Sequence, residues 1–477
     1  MSDPLSLVPL ALAAGGGSVN GVPANQLVAA GLTLLQRSAA VVRASSGRRA
    51  AILLPTSPAF LTALGAAEGR GAVLVNPLAA PHEIAHQLRD ADVGIVYTNA
   101  TLAARLPAGT THVLLDDAPR AARVVADGAE RDVDLGSHVG IALEGEAGVA
   151  GRDEEAAIVY TSAMAGVPLG AVLTHRNLLS NGWATVEAGG FVRDDHVLAL
   201  LPFSHLFGLV VTGIAPLVTG ARVSTPDRFH PVRALDFMEA EGVSVVVGVP
   251  AIFAAMVAAL ERRETPFRAP ALRLCICGGA PLPLRLQERW AELTGVELRQ
   301  GYGLTEGGPV CLFNRVDHPN YRGALGLPFP GVEVSVRDPA SGAALRDGET
   351  GEIWVRGPNV SPGYVSGGEH GLPRHDGWLA TGDLGERRPN GSVVFRGVVK
   401  PMFTRNGFNI YPREISRAVC ELEGVRGVHV LAVPSAEREN DIALDVSGDV
   451  TAEAVRRWCA ERLSAYKQPT DVTIVDG

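Results

Sequence analysis

The chain has 477 residues, of which 47% are hydrophobic and 19% charged, and its formal net charge at pH 7 is −9. A chain of this length exceeds one ordinary domain and can bury large cores, so we expect two or more domains. The acidic balance and the lack of a Lys/Arg block argue against a nucleic-acid partner.

Cysteine usage and hydropathy indicate the cellular compartment in which the chain is expected. Five cysteines, an odd number without framework spacing, indicate a reducing compartment. Cys275 and Cys277 form a C-x-C pair, but a metal site usually needs a second pair, so buried thiols are expected. The apolar run 243–260 contains Gly248 and Pro250, which predicts a strand, a turn and a helix rather than a membrane span. No secretory signal is recognisable, and we expect a soluble cytoplasmic protein.

Short apolar runs alternate with helical patterns over roughly the first two thirds of the chain. Strands are predicted at 50–55, 71–77, 93–99, 158–160, 196–200, 243–247 and 272–277, with helices at 60–68 and 82–91. This rhythm predicts mostly parallel sheets covered by helices. The Ala- and Asp-rich segment 101–155 is interpreted as connection and surface.

The pattern changes after about residue 320. Segments 331–338, 351–357 and 391–397 are β-rich and punctuated by glycine, which indicates a small barrel or antiparallel sheet. Beyond 397, a helix (412–422), two strands (427–433, 441–447) and a second helix (452–463) are predicted. The fold class is therefore α/β: a large N-terminal domain (1–397) of layered parallel sheets with a β-barrel-like part, then a small mobile α+β domain (398–477).

Six separated stretches carry the chemistry. They are LPFSHLFGL (201–209), ICGGAPL (276–282), QGYGLTEGGPV (300–310), GEIWVRGPNVSPGY (351–364), GWLATGDLG (377–385) and RNGFNIYPREI (405–415). Found in this order, they resemble the adenylate-forming superfamily of acyl- and aryl-CoA synthetases, peptide-synthetase adenylation domains and luciferases. The resemblance covers residues 48–477 and looks nearest to acyl-CoA synthetases.

The resemblance implies a two-step ligase. A carboxylate attacks the α-phosphate of ATP, pyrophosphate leaves, and the small domain rotates so that a thiol attacks the acyl-adenylate. Such chemistry depends on positioning and on neutralising charge. The implied cofactors are ATP/AMP, Mg²⁺ and CoA or a carrier thiol. The implied partners are a small-molecule carboxylic acid, fatty or aromatic, and an acyl carrier protein; the oligomeric state is left open.

Site roles follow from the resemblance, position by position. Tyr302 is expected to stack on adenine, Thr305 to touch the α-phosphate and Glu306 to hold Mg²⁺. Asp383 is expected to accept both ribose hydroxyls, and His205 to border the acyl pocket. Structural explanations are also open: a core aromatic, a helix start, a plain turn or a satisfied core histidine.

Small residues are implicated where a ligand passes close to the backbone. Gly278, Gly279 and Ala280 lack bulk beside the substrate, and Gly407 is expected to line the thiol tunnel, although it also suits a tight turn. The remaining nucleotide-site positions implied by the motifs are Thr161, Ser162, Gly166, Gly170, Gly301 and Gly303.

The phosphate loop departs from the family pattern, which is roughly T-S-G-T-T-G-x-P-K-G. Residues 161–170 read TSAMAGVPLG. Both central hydroxyls are gone, Met164 is bulky where triphosphate would lie, and Leu169 replaces the cation.

The hinge departs too. The family reads G-R-x-K-D-x-I, whereas residues 397–403 read GVVKPMF. Val398 replaces the arginine that joins Asp383 on the ribose, and Pro401 stiffens the linker. Lys400 matches a frequent hinge lysine and Lys467 an earlier family stretch; neither is the lysine of the family's terminal P-K-T-x-x-G-K segment, which is not in the sequence. Impaired adenylation is expected.

Whether the protein is an enzyme is therefore open between three hypotheses. One is a slow or specialised acid–thiol ligase. Another is a non-catalytic homologue that binds an acyl group, an acyl-adenylate or a partner protein. A third keeps the acyl-adenylate pocket and thiol tunnel but receives a ready-made activated acid. The stretches near 205–210, 249–253 and 277–281 are apolar and suit fatty or aromatic acids alike.

Overall fold

The computed structural model describes residues 7–44, 47–67, 71–117, 120–135, 153–161, 168–365, 371–399, 402–435 and 437–475. The helices are α1 (Val8–Gly15), α2 (Ala24–Ala44), α3 (Pro58–Ala66), α4 (Pro81–Asp90), α5 (Ala100–Ala103), α6 (His175–Gly189), α7 (Ala215–Thr219), α8 (Pro231–Glu241), α9 (Pro250–Glu261), α10 (Leu284–Thr294), α11 (Pro412–Cys420) and α12 (Ala452–Arg462). A π-helical segment spans Phe207–Ile214, and 3₁₀ turns span Thr305–Gly307 and Ala465–Lys467.

In chain order, the strands begin with β1 (Ser18–Val19), β2 (Val22–Pro23), β3 (Arg49–Leu53), β4 (Ala72–Leu74), β5 (Val93–Thr98), β6 (His112–Leu115), β7 (Ala121–Ala126), β8 (Ala129–Asp134), β9 (Glu155–Thr161) and β10 (Leu169–Thr174). The next are β11 (His196–Ala199), β12 (Arg222–Ser224), β13 (Val245–Gly248), β14 (Leu274–Cys277), β15 (Leu298–Gly303), β16 (Val310–Phe313) and β17 (Leu327–Pro328). The last are β18 (Glu333–Arg337), β19 (Thr350–Arg356), β20 (Gly363–Tyr364), β21 (Arg374–His375), β22 (Trp378–Arg387), β23 (Val393–Val398), β24 (Phe403–Arg405), β25 (Phe408–Ile410), β26 (Val425–Ser435), β27 (Glu439–Gly448) and β28 (Asp471–Val475).

Two large mixed sheets form the bulk of the molecule. The first has the order β17-β16-β15-β14-β13-β11-β12-β1-β2, and its stretch from β15 to β1 is parallel. The second has the order β20-β10-β9-β4-β3-β5-β6-β7-β8, and its stretch from β9 to β6 is parallel. Strands β3, β4, β13 and β14 are buried along their whole length, because helices cover both faces of a parallel sheet. The predicted helix-covered parallel sheets are confirmed.

The largest apolar cluster joins the two sheets through α1, α2, α3, α6 and the π-helical segment. Helices α2 and α3 approach closely at Gly31, where a Cβ would lie 2.2 Å from the carbonyl oxygen of Thr62. Only glycine allows that approach, because any side chain would force the helices apart.

The interpretation of 101–155 as mere connection and surface is wrong for part of that segment. Strand β6 continues the second sheet parallel to β5, and β7 and β8 extend it in antiparallel fashion. In β7, Ala122 and Val124 face inward while their neighbours Ala121 and Arg123 are exposed. This two-residue period marks a half-buried strand, but small alanines and many charges weaken the signal.

An antiparallel five-stranded sheet follows, with the path β18-β19-β22-β21 and β23 paired to β22. It has the form of a half-barrel, as predicted from the glycine-punctuated segments. The predicted strand–turn–helix in the apolar run 243–260 is also confirmed, as β13 and α9. Among the described helices, none combines the length and the apolar character needed to cross a bilayer.

Residues 403–475 form their own layers. Strands β24 and β25 make a hairpin, β26, β27 and β28 make a second sheet, and α11 and α12 pack on it. Their apolar cluster, which includes Ile410, Ile415, Leu444 and Val455, is separate from the others. That separate core supports the predicted domain boundary at residue 398, which stays a proposal.

The core beside β14 offers a stability test. Trp290 on α10 is fully buried and packs edge-to-face on Phe253, with ring centroids 4.9 Å apart. We expect Trp290→Ala to lower the free energy of unfolding by about 3–5 kcal/mol, since it leaves a large cavity. The measurement is urea unfolding followed by far-ultraviolet circular dichroism.

Trp183 on α6 is the matched control, because its side chain is 50% exposed. Trp183→Ala is expected to change the unfolding free energy by less than about 1 kcal/mol. Equal effects of the two substitutions would contradict the burial of Trp290.

Candidate functional site

Parallel strands β13, β14 and β15 end at the same edge of the first sheet. The chain leaves that edge at Val249, at the stretch 278–280 and after Gly303. Ligands of open α/β sheets bind outside the carboxyl ends of the strands. The glycine-rich stretch and the GYGLTE motif, predicted separately, therefore meet where a ligand site is expected.

Tyr302 and Asp383, expected to hold adenine and ribose, are in direct contact. The Tyr302 hydroxyl donates a 2.7 Å hydrogen bond to Oδ2 of Asp383. Burial raises the pKa of Asp383 to about 6, although the bond from Tyr302 opposes the rise. In the β22–β23 ladder the residue opposite Asp383 is Val398. An apolar side chain thus lies where the family pattern has arginine.

Glu306, the expected Mg²⁺ ligand, lies in the 3₁₀ turn that follows β15. Its Oε1 accepts a 2.7 Å hydrogen bond from the Tyr364 hydroxyl and a weak 3.5 Å contact from Oγ1 of Thr161. Burial raises the pKa of Glu306, and these two hydroxyls partly offset it. Thr305 begins the same turn and is half-buried.

Metal binding at Glu306 would rest on a single protein carboxylate. Within the described ranges no three His, Cys, Asp or Glu side chains are grouped as metal ligands. One carboxylate fits Mg²⁺ nonetheless, because this ion usually keeps its waters and takes further ligands from phosphates. Cys275 and Cys277 are buried in β14 as expected, and burial raises the pKa of both thiols.

The base of the phosphate-loop hairpin contacts Glu306 through Thr161. Strands β9 and β10 pair as a hairpin, with Thr161 opposite Leu169 and Tyr160 opposite Gly170. Thr161 and Gly170 are thus described, whereas Ser162 and Gly166 lie outside the described residues. Leu169, which stands where the family pattern has a cation, is half-buried beside Thr161. This end of the hairpin therefore offers a hydroxyl but no positive charge.

An apolar cavity lies behind the glycine-rich edge. It has room for about one water molecule and is lined by Thr185, Phe207, Val211, Ile276, Gly301, Val310, Phe313 and Phe329. Gly278 borders it, since a Cβ there would lie 3.0 Å from Cζ of Phe207 and 3.1 Å from the Gly301 carbonyl oxygen. No lining side chain carries a charge, so the cavity suits an apolar group.

His205 precedes the π-helical segment that supplies Phe207. Its Nδ1 accepts a 3.2 Å hydrogen bond from the Phe207 N–H, which leaves the ring proton on Nε2. The residue is exposed to solvent, but the protein around the ring still disfavours its charged form and lowers the pKa of His205. A neutral imidazole therefore lies two residues before Phe207, which lines the cavity.

Gly407, from the last motif, reaches this edge from the C-terminal part of the chain. Its φ is +76°, and a Cβ would lie 2.7 Å from Cγ1 of Val249. Gly279 has φ +79°, and a Cβ there would lie 3.8 Å from the Gly407 carbonyl oxygen. Two glycines predicted from distant motifs therefore face each other, with Ala280 half-buried beside them.

Glycine is needed at position 303 for a structural reason. A Cβ on Gly303 would lie 1.8 Å from the carbonyl oxygen of Pro309, so a bulge in the β15–β16 ladder requires a residue without a side chain. Gly301, in contrast, lines the cavity. Of the two glycines in this motif, one permits a backbone bulge and the other lines the cavity.

Two tyrosines at the site were missed as site residues. Tyr364 binds Glu306, and Tyr411 lies near enough to Glu306 and Asp383 that, after burial, their charges further raise the pKa of Tyr411. Both lie inside quoted motifs, GPNVSPGY and GFNIYP. The motifs did not predict that these two side chains lie near Glu306 and Asp383.

Comparisons with known proteins agree with this geometry. The AMP-binding enzyme family matches residues 33–365. A feruloyl-CoA synthase from Amycolatopsis is 30% identical over 93% of this chain and 90% of its own length. A long-chain-fatty-acid–CoA ligase from Bacillus subtilis is 26% identical over 89% of this chain and 81% of its own length.

Solved structures add a comparison of arrangement. A malonyl-CoA ligase in a ternary product complex with methylmalonyl-CoA and AMP superposes with a TM-score of 0.80 at 27% identity, covering 100% of this chain and 99% of that one. ATP-bound MatB from Rhodopseudomonas palustris gives 0.68 at 28% identity, covering 97% and 92%. The family match spans well over half of the chain, and the protein belongs to the AMP-binding enzyme family, as an acyl-CoA synthetase-like, adenylate-forming ligase.

Proposed function

We propose that the protein transfers an acyl group from an acyl-adenylate to the thiol of CoA, with adenylation itself impaired. The observation that carries this proposal is the close approach of Gly407 to Gly279 beside the apolar cavity. Because neither residue carries a side chain, a slight separation of the two parts of the chain would admit a thin pantetheine-like arm between them. The TM-score of 0.80 with a complex holding a CoA thioester and AMP supports the same arrangement of the two parts.

The residues present fit an adenylate better than a triphosphate. The ring of Tyr302 offers a face for adenine, and Asp383 offers two oxygens for ribose hydroxyls once it is ionised. Glu306 offers a carboxylate oxygen to Mg²⁺, which would supply positive charge near a phosphate. Leu169 in the hairpin provides no charge for the outer phosphates.

The acid is proposed to be fatty or aromatic. Phenylalanine, valine and isoleucine side chains dominate the cavity lining, and Thr185 is its single polar side chain. A second carboxylate in the substrate would be buried there without a partner, at a cost of several kcal/mol. We therefore propose a monocarboxylic acid with an apolar tail, and CoA rather than a carrier protein as the first thiol to test.

A non-catalytic role is the second candidate. Val398 opposite Asp383 favours this role. Asp383, the expected ribose-binding carboxylate, has no guanidinium from that position, where the family pattern supplies an arginine. In that case the pocket would bind an acyl-adenylate or acyl group without turning it over.

Measuring the two half-reactions separately tests the proposal. Benzoyl- and octanoyl-adenylate, supplied with CoA, are expected to give thioesters in the wild-type protein. Pyrophosphate exchange into ATP is expected to be slow and to rise at least about 10-fold in the Leu169→Lys/Val398→Arg double variant, since each restored cation adds roughly 1.5–3 kcal/mol of charged hydrogen bonding.

The control is Val192→Arg, which adds a cation at an exposed valine outside the cleft (52% exposed) and is expected to leave exchange unchanged. Binding of either adenylate by calorimetry without any thioester formation would instead support the non-catalytic role. Fast exchange in the wild type would contradict impaired adenylation.

The raised pKa of Asp383 gives a pH prediction. Its folded-state pKa of about 6 exceeds its value of about 3.9 in an unfolded chain. The ionised carboxylate accepts hydrogen bonds, so AMP affinity is expected to increase as pH rises through about 6, measured by calorimetry between pH 5 and 8. The folded state holds this proton more tightly, so the contribution of Asp383 to stability falls from about pH 4 to 6.

Asp383→Asn is expected to remove the pH step in AMP affinity and to make unfolding at pH 7 less favourable. Asp347→Asn is the matched control, because Asp347 is a surface carboxylate paired with Arg387. Persistence of the step in Asp383→Asn would assign it to another group.

A further inference from the structure

A buried ion cluster joins the C-terminal part of the chain to α4. Nζ of Lys467 lies 2.9 Å from Oε1 of Glu83 and 2.6 Å from Oε1 of Glu414. The three side chains are 5%, 9% and 7% exposed, respectively. The Ser464 hydroxyl also donates to Oε2 of Glu83. Glu83 thus receives two contacts from a turn more than 380 residues later in the chain.

The charges of this cluster are matched by hydrogen bonds. Burial alone would lower the pKa of Lys467, but Tyr466 and the two carboxylates outweigh it, and the pKa of Lys467 is raised. Lys467 therefore stays charged. Oε2 of Glu83 also accepts a 2.7 Å bond from the Ala80 N–H at the start of α4. A buried charge with such partners is costly to separate from them.

The arrangement also suits a cluster that must open. Glu83 keeps the Ala80 N–H as a partner within the large part of the chain, and Lys467 keeps Glu414 within the small part. Separation of the two parts along this contact would break the Glu83–Lys467 pair and the Ser464 bond while leaving each ion a partner. Because Lys467 has a second carboxylate beside it, it keeps a partner when the two parts separate. In a simple ion pair, the lysine would lose its only partner.

The cluster is mechanically connected to Gly407. Tyr466, the neighbour of Lys467, stacks on Phe408, with ring centroids 4.2 Å apart and planes inclined by 19°. Arg405 donates hydrogen bonds of 3.2 and 2.7 Å to the carbonyl oxygens of Tyr466 and Gln468. The turn that contacts Glu83 is therefore packed against the β24–β25 hairpin, and this hairpin places Gly407 beside Val249 and Gly279.

We propose that Lys467 is a positioning residue for thioester formation. Paired with Glu83, it holds the small C-terminal part in the arrangement that brings Gly407 against Gly279, and it takes no part in adenylation. This inference rests on the proposed acyl transfer to a thiol. The sequence motif only set Lys467 apart from the family's terminal lysine; the contacts with Glu83 and Glu414 give it a role of its own.

Glu83→Gln is the sharpest variant, because glutamine keeps the shape and can still accept from the Ala80 N–H. It also leaves the Lys467–Glu414 pair intact. Thioester formation from benzoyl- and octanoyl-adenylate with CoA is expected to fall roughly 100-fold, as for removal of one partner of a buried ion pair. Pyrophosphate exchange is expected to stay within about twofold of wild type, since the contact belongs to the other arrangement.

Lys467→Met is expected to act in the same direction and Lys467→Arg to restore part of the rate. Glu261→Gln is the matched control, because it breaks an exposed 2.7 Å pair with Arg289 away from the cleft, and both half-reactions should stay unchanged. A fall of both half-reactions together in Glu83→Gln would show a general structural role and overturn the proposal.

Amide hydrogen exchange provides a readout that does not need activity. Exchange over 80–90 and 403–410 is expected to rise at least about 10-fold in Glu83→Gln, because the contact that covers both segments opens more often. Unchanged exchange in both segments would overturn the proposal. If wild-type protein makes no thioester from either adenylate, the proposed function fails, while the exchange experiment still decides whether the contact holds the two parts together.

Discussion

Close backbone approach at Gly407 governs how the C-terminal part of the chain meets the cleft. A Cβ on Gly407 would lie 2.7 Å from Val249, and the Gly407 carbonyl oxygen faces Gly279. Both glycines have φ values that other residues rarely adopt. The same part of the chain places Tyr411 near Glu306 and Asp383 and pairs Lys467 with Glu83 on α4.

Electrostatics sets the second constraint. Asp383 and Glu306 have pKa values raised by burial, and among the described residues neither forms an ion pair with lysine or arginine. Tyr302 and Tyr364 each donate one hydrogen bond to these carboxylates. Carboxylates held in this way favour a ligand that brings hydroxyl donors or a cation. The phosphate-loop hairpin and Val398 reinforce the same preference, because they add no positive charge to compete for either group.

Much of the fold could be predicted from residue patterns. Fully apolar runs such as β13 and β14 predict buried parallel strands, and glycine-punctuated β-rich segments predict the half-barrel sheet. The strands β7 and β8 were missed because alanine and charged residues blur a two-residue period. The separate core around Ile415 and Leu444 agrees with the predicted boundary near residue 398.

The candidate site divides in a similar way. Motifs named Tyr302, Glu306 and Asp383, and the structure brings Tyr302 into contact with Asp383 and places Glu306 in the turn after the same strand. Roles for these residues remain proposals, because their assignment came with the resemblance. The motifs also contained Tyr364 and Tyr411, but nothing in the local sequence tells which side chains of a motif point into a cleft.

The sequence by itself determined the layered α/β architecture, the family and the order of its motifs, because periodicity and motif spacing are local properties of the chain. Only the tertiary structure decided that Val398 lies opposite Asp383 and that Lys467 is shared by Glu83 and Glu414. Strand register and ion pairing between positions hundreds of residues apart depend on how finished elements pack. No local pattern of residues specifies that packing.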